Sequence, residues 1–173
     1  DKDIDMSVLV TGGAGYIGSH MVLALRDSGR DVVVLDNLST GFRGAVPHDV
    51  PFVEGSCGDE DLVKSIISEH GVSAIIHFAG SIVVPDSVKD PLGYYENNTV
   101  NSRALIAAAV ASGIRHFIFS STAAVYGEPP ECPIGEDLPL APISPYGTSK
   151  LMTEYMLKDT ARAHDLRFAA LRY

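Results

Sequence analysis

Three glycines placed directly behind an apolar run restrict this chain to very few backbone shapes. The run Ser7 to Thr11 leads without a break into Thr11-Gly12-Gly13-Ala14-Gly15-Tyr16-Ile17-Gly18. That stretch satisfies both Gly-x-Gly-x-x-Gly, through Gly13, Gly15 and Gly18, and Gly-x-x-Gly-x-x-Gly, through Gly12, Gly15 and Gly18. A strand that turns sharply into a helix needs one glycine for the turn and one where a side chain would cover the backbone N–H groups. It needs a third where helix and strand come close. The pattern then runs helically from Ile17 to Ser28, with Ile17, Met21 and Leu25 on one stripe expected to pack on a sheet. Gly29 closes it with a residue at ease with positive φ.

The same unit recurs along the chain, as apolar runs of about five residues alternate with longer periodic segments, the mark of a parallel sheet covered by helices. Strands are expected at Ser7 to Thr11, Asp31 to Asp36, Pro51 to Glu54, Ala74 to Phe78, His116 to Ser121 and Phe168 to Tyr173. Helices are expected at Ile17 to Ser28, Asp61 to His70, Pro91 to Ser112 and Pro145 to His164. The proline-rich stretch Gly127 to Pro142 reads as a loop over the sheet edge. The expectation is an α/β fold, a doubly wound parallel sheet of the Rossmann type over residues 7–173. Residues 1–6 read as an extension foreign to the domain, with Met6 as a candidate start. The chain stops at Tyr173 directly after an apolar run, which reads as a cut before a further domain.

A glycine turn alone is a weak signal, but here a second strand ends in Asp36, 18 residues after Gly18. A carboxylate there accepts hydrogen bonds from both hydroxyls of an adenosine ribose, while the pyrophosphate meets the positive end of a helix dipole. The same carboxylate repels the extra phosphate of NADP, so the expected cofactor is NAD.

Charge narrows the partners further. A net charge of −9 with no Lys/Arg cluster argues against nucleic acid and anionic membranes. The two cysteines, Cys57 and Cys132, follow no metal-ligand spacing and give no disulfide framework, which suggests a reducing compartment, the cytoplasm. No metal site is expected, and the acidic opening Asp1-Lys2-Asp3 does not resemble a secretory signal.

A second constellation stands near the far end. Tyr146 and Lys150 lie four residues apart on an expected helix and so project from one face. A lysine cation beside a phenol stabilises the phenolate and yields a usable base at neutral pH. Thr122, at the end of the strand Phe119-Ser120-Ser121, could hold a reacting hydroxyl next to Tyr146, although a strand-end threonine is often only a turn cap. His77 reads as a packed residue.

With these elements in order, the chain resembles the extended short-chain dehydrogenase/reductase family, in its NAD-dependent epimerase/dehydratase branch, and within that the UDP-glucose 4-epimerases. The resemblance is carried by the glycine turn, Leu35-Asp36-Asn37-Leu38, Phe52-Val53-Glu54-Gly55, His77-Phe78-Ala79-Gly80 and Tyr94-Tyr95-Glu96-Asn97-Asn98. It continues through Phe119-Ser120-Ser121, Val125-Tyr126-Gly127 and Ser144-Pro145-Tyr146-Gly147. It implies that Tyr146 takes a proton from the sugar 4-hydroxyl while a hydride passes to the nicotinamide, and that the hydride returns to the other face of the 4-keto sugar. Lys150 would hold the nicotinamide ribose and Thr122 would orient the hydroxyl. Gly12, Gly15, Tyr16, Ile17, Gly18, Asp36, Asn37, Leu38, Ser39, Thr40, Gly41, Ser56, Cys57, Phe78, Ala79, Gly80 and Asn97 match positions that line NAD. It also implies a UDP-sugar substrate and a homodimer through the helices at Pro91 to Ser112 and Pro145 to His164. Leu151, Met152, Tyr155 and Met156 offer an apolar stripe there, which core packing explains equally well.

Three departures qualify the resemblance. Ser56 stands where many members place an acid near the adenine, and Ile82 where some place a lysine near the nicotinamide. The smaller domain that grips the UDP-sugar lies beyond Tyr173, so these residues alone are expected to turn over little. A dehydratase would need an Asp-Glu pair where Ala123-Ala124 stand. An epimerase acting on another UDP-sugar, such as a pentose, and a non-catalytic NAD-binding module both remain open.

Overall fold

The computed structural model describes residues 7–173; the extension expected over residues 1–6 lies outside the described residues. Six strands form one sheet: β1 (Ser7–Thr11), β2 (Val32–Asp36), β3 (Phe52–Glu54), β4 (Val72–His77), β5 (His116–Ser120) and β6 (Arg167–Leu171). Their order is β3-β2-β1-β4-β5-β6, with every neighbouring pair parallel. Each expected strand is present with ends within two residues of expectation. The fold is the doubly wound α/β sheet that the alternation predicts.

Strand residues alternate between two covered faces. Val8, Val10, Val32 and Val34 point to one side, where Val22 of helix α1 (Tyr16–Asp27) and the loop residues Val46 and Val50 cover them. Leu9, Val33, Leu35, Ile75, Phe117 and Phe119 point to the other. There they meet Ile66 of α2 (Glu60–Glu69), Leu105 of α5 (Asn101–Ala111) and Leu157 of α6 (Pro145–Ala163). Leu9, Leu105 and Leu157 are fully buried, each worth about 2 kcal/mol relative to exposure. Burial on both faces is why β1 and β2 read as continuous apolar runs.

Two short helices, α3 (Val84–Lys89) and α4 (Pro91–Tyr94), precede α5. The segment Pro91 to Ser112, expected as one helix, is helical throughout but widens into a π-turn over Tyr95–Val100. The wider turn rotates the following residues and brings both Asn97 and Asn98 to Ser81. Helix α3 escaped the sequence reading because six residues are too few to display a period.

One packing expectation needs correction. On α1 the residues nearest the sheet are Gly18 and Val22, flanked by Met21 and Leu25, while Ile17 is 47% exposed. Gly18 permits a close approach that a larger residue would not, which turns Ile17 about 100° away. The loop Gly127 to Pro142 seats Ile134, Leu138 and Leu140 on Val125, Tyr126 and Leu151, and so packs against α6.

β1 lies between β2 and β4, so the chain leaves β1 toward one edge and later crosses back to the other. A crevice opens at this reversal, beyond the carboxyl ends of β1 and β4, where open α/β sheets take their ligands.

Candidate active site

The glycine turn is held by backbone contacts that leave no room for side chains. Gly12 adopts φ +70°, and a Cβ there would lie 2.6 Å from the Ala79 nitrogen. A Cβ on Gly18 would lie 2.1 Å from the Gly12 carbonyl oxygen, so Gly18 seats the helix on the turn itself. Gly15 differs: the nearest atom to its Cβ would be the Gly12 oxygen at 3.3 Å, and the rest of its surroundings are open. Gly15 is also the N-cap of α1, where no side chain caps the helix and no acid stands in the first turn. The N–H groups of that turn, through Tyr16 and Ile17, are therefore free for an anion. Tyr16 is 83% exposed beside them and packs on His20.

Asp36 closes the side opposite the helix. Its carboxylate is buried and accepts from the Ala14 N–H at 2.9 Å and from the Leu38 N–H at 2.8 Å, one bond on each oxygen. A carboxylate has about four acceptor sites, so each oxygen keeps capacity for a ribose hydroxyl. Asn37 to Gly41 fold back over the turn: Asn37 Oδ1 accepts from the Ser39 N–H, Thr40 and Gly41 follow, and the Phe42 N–H bonds the Ala14 carbonyl at 2.9 Å. Ser56 Oγ accepts from the Gly58 N–H, and Cys57 lies in the core, where burial pushes its thiol up to about 11.

The third wall is the exit of β4. The Phe78 N–H bonds the Thr11 carbonyl at 3.0 Å, and Ala79 packs on the core. Gly80 approaches Asn98 Oδ1 and Lys150 Nζ so closely that a Cβ would lie 3.0 and 3.4 Å from them. Asn98, buried on the π-turn, clamps Ser81 through Oδ1 to its N–H at 2.7 Å and Nδ2 to its carbonyl at 3.0 Å. Its Nδ2 also reaches Ser149 Oγ on α6. Asn97 donates to Ser81 Oγ at 2.8 Å.

Helix α6 brings up Tyr146 and Lys150. Ser144 caps it, accepting from the Gly147 N–H, and Pro145 occupies its first turn. Lys150 is 3% exposed; its ammonium donates to the Ser120 carbonyl at 3.2 Å and stands 5.0 Å from the centre of the Phe119 ring. Burial lowers it to about 8. An ammonium has three donors, so Lys150 retains two for a ligand. The Tyr146 phenol is raised by burial and lowered by a hydrogen bond with Thr122, with Tyr173 and Tyr94 raising it further. Thr122 combines both sequence readings: its Oγ1 caps the short turn at Ala123–Tyr126 through the Ala124 N–H at 3.1 Å, and its side chain meets Tyr146.

Several residues near the site lay outside the sequence reading of its machinery. Tyr173 bonds Ser120 Oγ through its hydroxyl at 2.6 Å, and its carbonyl accepts from the Ala123 N–H. Glu154, four residues beyond Lys150, binds Ser121 and Arg172; its spacing on the Tyr146 stripe was the available signal. His77 is fully buried between Thr11 Oγ1 at 2.6 Å and Ser102 Oγ at 2.8 Å. Ser102 donates onward to the Asn98 carbonyl, so His77 Nε2 carries the proton and Nδ1 accepts from Thr11. Among the described residues no cluster of His, Cys, Asp and Glu could hold a metal, and no helix is long and apolar enough to cross a membrane.

A crevice floored by a glycine turn, walled by an open carboxylate and faced by a Tyr-x-x-x-Lys helix has the form of a dinucleotide-binding site on a Rossmann-like sheet. The chain belongs to the NAD dependent epimerase/dehydratase family, matching it over residues 8–173. It is 57% identical over 166 residues to a UDP-glucose 4-epimerase of Azospirillum brasilense, covering 96% of this chain and 48% of that protein. The crystal structure of UDP-glucose 4-epimerase from Brucella ovis in complex with NAD superposes with a TM-score of 0.94 at 45% identity, covering 97% of this chain and 51% of that one. The Thermotoga maritima UDP-glucose 4-epimerase with UDP-glucose gives a TM-score of 0.93 at 39% identity, covering 97% of this chain and 55% of that one. The chain spans about half the length of the curated relatives it matches.

Proposed function

We propose that this chain binds NAD in the crevice between β1 and β4 and carries the catalytic half of a UDP-glucose 4-epimerase. The observation that carries the reading is the Tyr146–Lys150 face of α6 set against Ser120–Thr122, across the crevice from an uncapped helix N-terminus and a carboxylate with spare acceptor capacity. The residues present fit the cofactor. The α1 N-terminus and Gly15 accept a pyrophosphate, Asp36 a ribose diol, and the two unused donors of Lys150 a second diol. When bound, NAD supplies a reversible hydride acceptor.

Tyr146 takes the proton of the sugar 4-hydroxyl and later returns it. Its phenol starts above its ordinary value, so deprotonation at neutral pH requires a positive charge nearby, which the Lys150 ammonium on the same face of α6 would supply, with a bound oxidised cofactor adding to the same effect. Thr122 holds the hydroxyl proton in line. Asp36 excludes a 2′-phosphate by charge.

The reading extends to the 173 residues as such. We propose that they fold and hold NAD but turn over little UDP-galactose, because the half of the relatives' length not represented here supplies the sugar site. Epimerisation of UDP-galactose is to be measured for this chain and for a form extended to the relatives' length. Equal rates would overturn the claim, and Tyr146→Phe in the longer form should keep bound NAD while losing at least about 100-fold in kcat. The α5–α6 face, with Met152 and Tyr155 half exposed beside a groove of about 590 Å³, supports a homodimer, to be checked by sedimentation. Leu151 is buried, whereas Met156 is partly buried and lines the groove itself.

A further inference from the structure

We propose that the ion pair of buried Glu154 with the partly exposed Arg172 is a positioning device for the reaction, fixing the exit of β5 so that Thr122 stays on Tyr146. The inference rests on the epimerase reading for its catalytic consequence, but its geometry stands apart from it.

The β5–β6 ladder ends at Ser120 opposite Leu171, so Ser121 and Thr122 lie beyond the last strand pair. Their only backbone tie to the strand is the Ser121 N–H turning back onto the Phe119 carbonyl at 3.0 Å. The next backbone ties are the Ala123 N–H to the Tyr173 carbonyl at 3.2 Å and the Val125 N–H to the Thr122 carbonyl at 3.3 Å, so between Ser120 and the turn the position of the exit is shared with side chains. Three residues of α6 at successive four-residue steps, Tyr146, Lys150 and Glu154, face three successive residues of this exit. Lys150 holds the Ser120 carbonyl, Glu154 accepts from the Ser121 hydroxyl, and Tyr146 meets Thr122.

Glu154 is the anchor of the three. It is 6% exposed and receives the Arg172 guanidinium through Nε at 3.0 and 3.2 Å and through Nη2 at 2.6 Å. Arg172 also donates through Nη1 to the Tyr126 hydroxyl at 2.7 Å and lies over that ring. One carboxylate thus joins α6, the exit of β5, the turn after it and the exit of β6. Every other ion pair among the described residues has both partners substantially exposed. A buried ion pair is a poor source of stability, because desolvation offsets its attraction, and apolar pairs of similar volume commonly replace it without loss. What apolar side chains cannot do is accept the Ser121 hydroxyl and fork onto Arg172. The pair's contribution is geometric.

The test separates position from stability and needs no cofactor. Tyr146 is to be titrated by its 13Cζ resonance, assigned with Tyr146→Phe, in this chain, in the double variant Glu154→Met/Arg172→Met and in Ser121→Ala. Both variants leave the net charge unchanged. Loss of the Thr122 bond removes an influence that lowers the phenol, so the Tyr146 midpoint should rise in each. Thermal stability of the double variant should stay near that of the parent. If the double variant fails to fold, Ser121→Ala decides alone, since it cuts the link to β5 and leaves the ion pair intact. A midpoint unchanged or lowered in Ser121→Ala overturns the proposal whatever the stability does. In the chain extended to its relatives' length, Ser121→Ala should lower kcat about 10-fold with KM and bound NAD unchanged. An inactive extended parent would remove the epimerase reading, while the titration would still decide the positioning role.

Discussion

Asp36 and Glu154 are both buried carboxylates at the carboxyl edge of the same sheet, 8% and 6% exposed, and they are satisfied in opposite ways. Asp36 accepts one backbone N–H on each oxygen, from Ala14 and Leu38, and keeps room for more. Glu154 is enclosed by the side chains of Ser121 and Arg172. The first is an acceptor held ready for something outside the chain, and the second is part of the framework. The contrast extends to the halves around them: β1, α1 and β2 build their site from backbone, while β5, α6 and β6 build theirs from side chains that reach between distant segments.

The hardest way to break the backbone half is at Gly18. A methyl group there would lie 2.1 Å from the Gly12 carbonyl, and backbone cannot swing aside as a side chain can. Gly18→Ala should cost at least about 3 kcal/mol in stability and abolish measurable NAD binding. Denaturant unfolding and NAD titration of the variant check this. A one-methyl change of the opposite sense on the side-chain half, the deletion Thr122→Ser, should leave stability within about 1 kcal/mol. If Gly18→Ala proves as mild, the division between the halves fails.

His77 stands at the seam, tying Thr11 of β1 to Ser102 of α5. Burial lowers it from 6.5 to about 3, with Lys150 adding to the shift. The unfolded chain therefore binds a proton that the folded chain refuses between pH 6.5 and 3. The stability that neutral His77 preserves is complete above pH 6.5 and falls as the pH drops toward 3, by about 1.4 kcal/mol per unit. Between pH 7 and pH 5 the wild type should lose about 2 kcal/mol more than His77→Gln, which carries no titrating group. Urea unfolding at the two pH values measures the difference, and parallel losses would show that the seam holds a charged imidazole after all.

The same division explains what could be read in advance. The strands, Asp36 and the glycine turn follow from local rules, because a backbone turn leaves glycines at fixed spacing and a buried strand leaves an apolar run. Lys150 was legible through its spacing from Tyr146, yet its contact with the Ser120 carbonyl depends on a segment 30 residues away. The Asn98 clamp, the His77 bridge and the Arg172 fork join residues 17 to 66 positions apart, and no local pattern records such pairings. The π-turn was invisible for a related reason: its extra residue per turn is absorbed inside an otherwise unbroken helix.

Asp36 gives the smallest expected effect and the sharpest one for the contrast. If its carboxylate only capped Ala14 and Leu38, Asp36→Ala would lose stability, about 1–3 kcal/mol for two unpaired N–H groups, and leave the preference for NAD over NADP unchanged. If it is the open acceptor inferred here, the variant also loses a charge that repels a 2′-phosphate, and the ratio of NAD to NADP affinity should relax about 10-fold. Glu154→Ala supplies the matched control, since it too removes a buried carboxylate and should lower stability by a comparable or larger amount. Its ratio of NAD to NADP affinity should stay where it is, because none of the acceptor capacity of Glu154 faces the crevice. Calorimetric titration of both variants with both nucleotides compares the two directly, and equal ratios would mean that cofactor choice is made elsewhere in the turn.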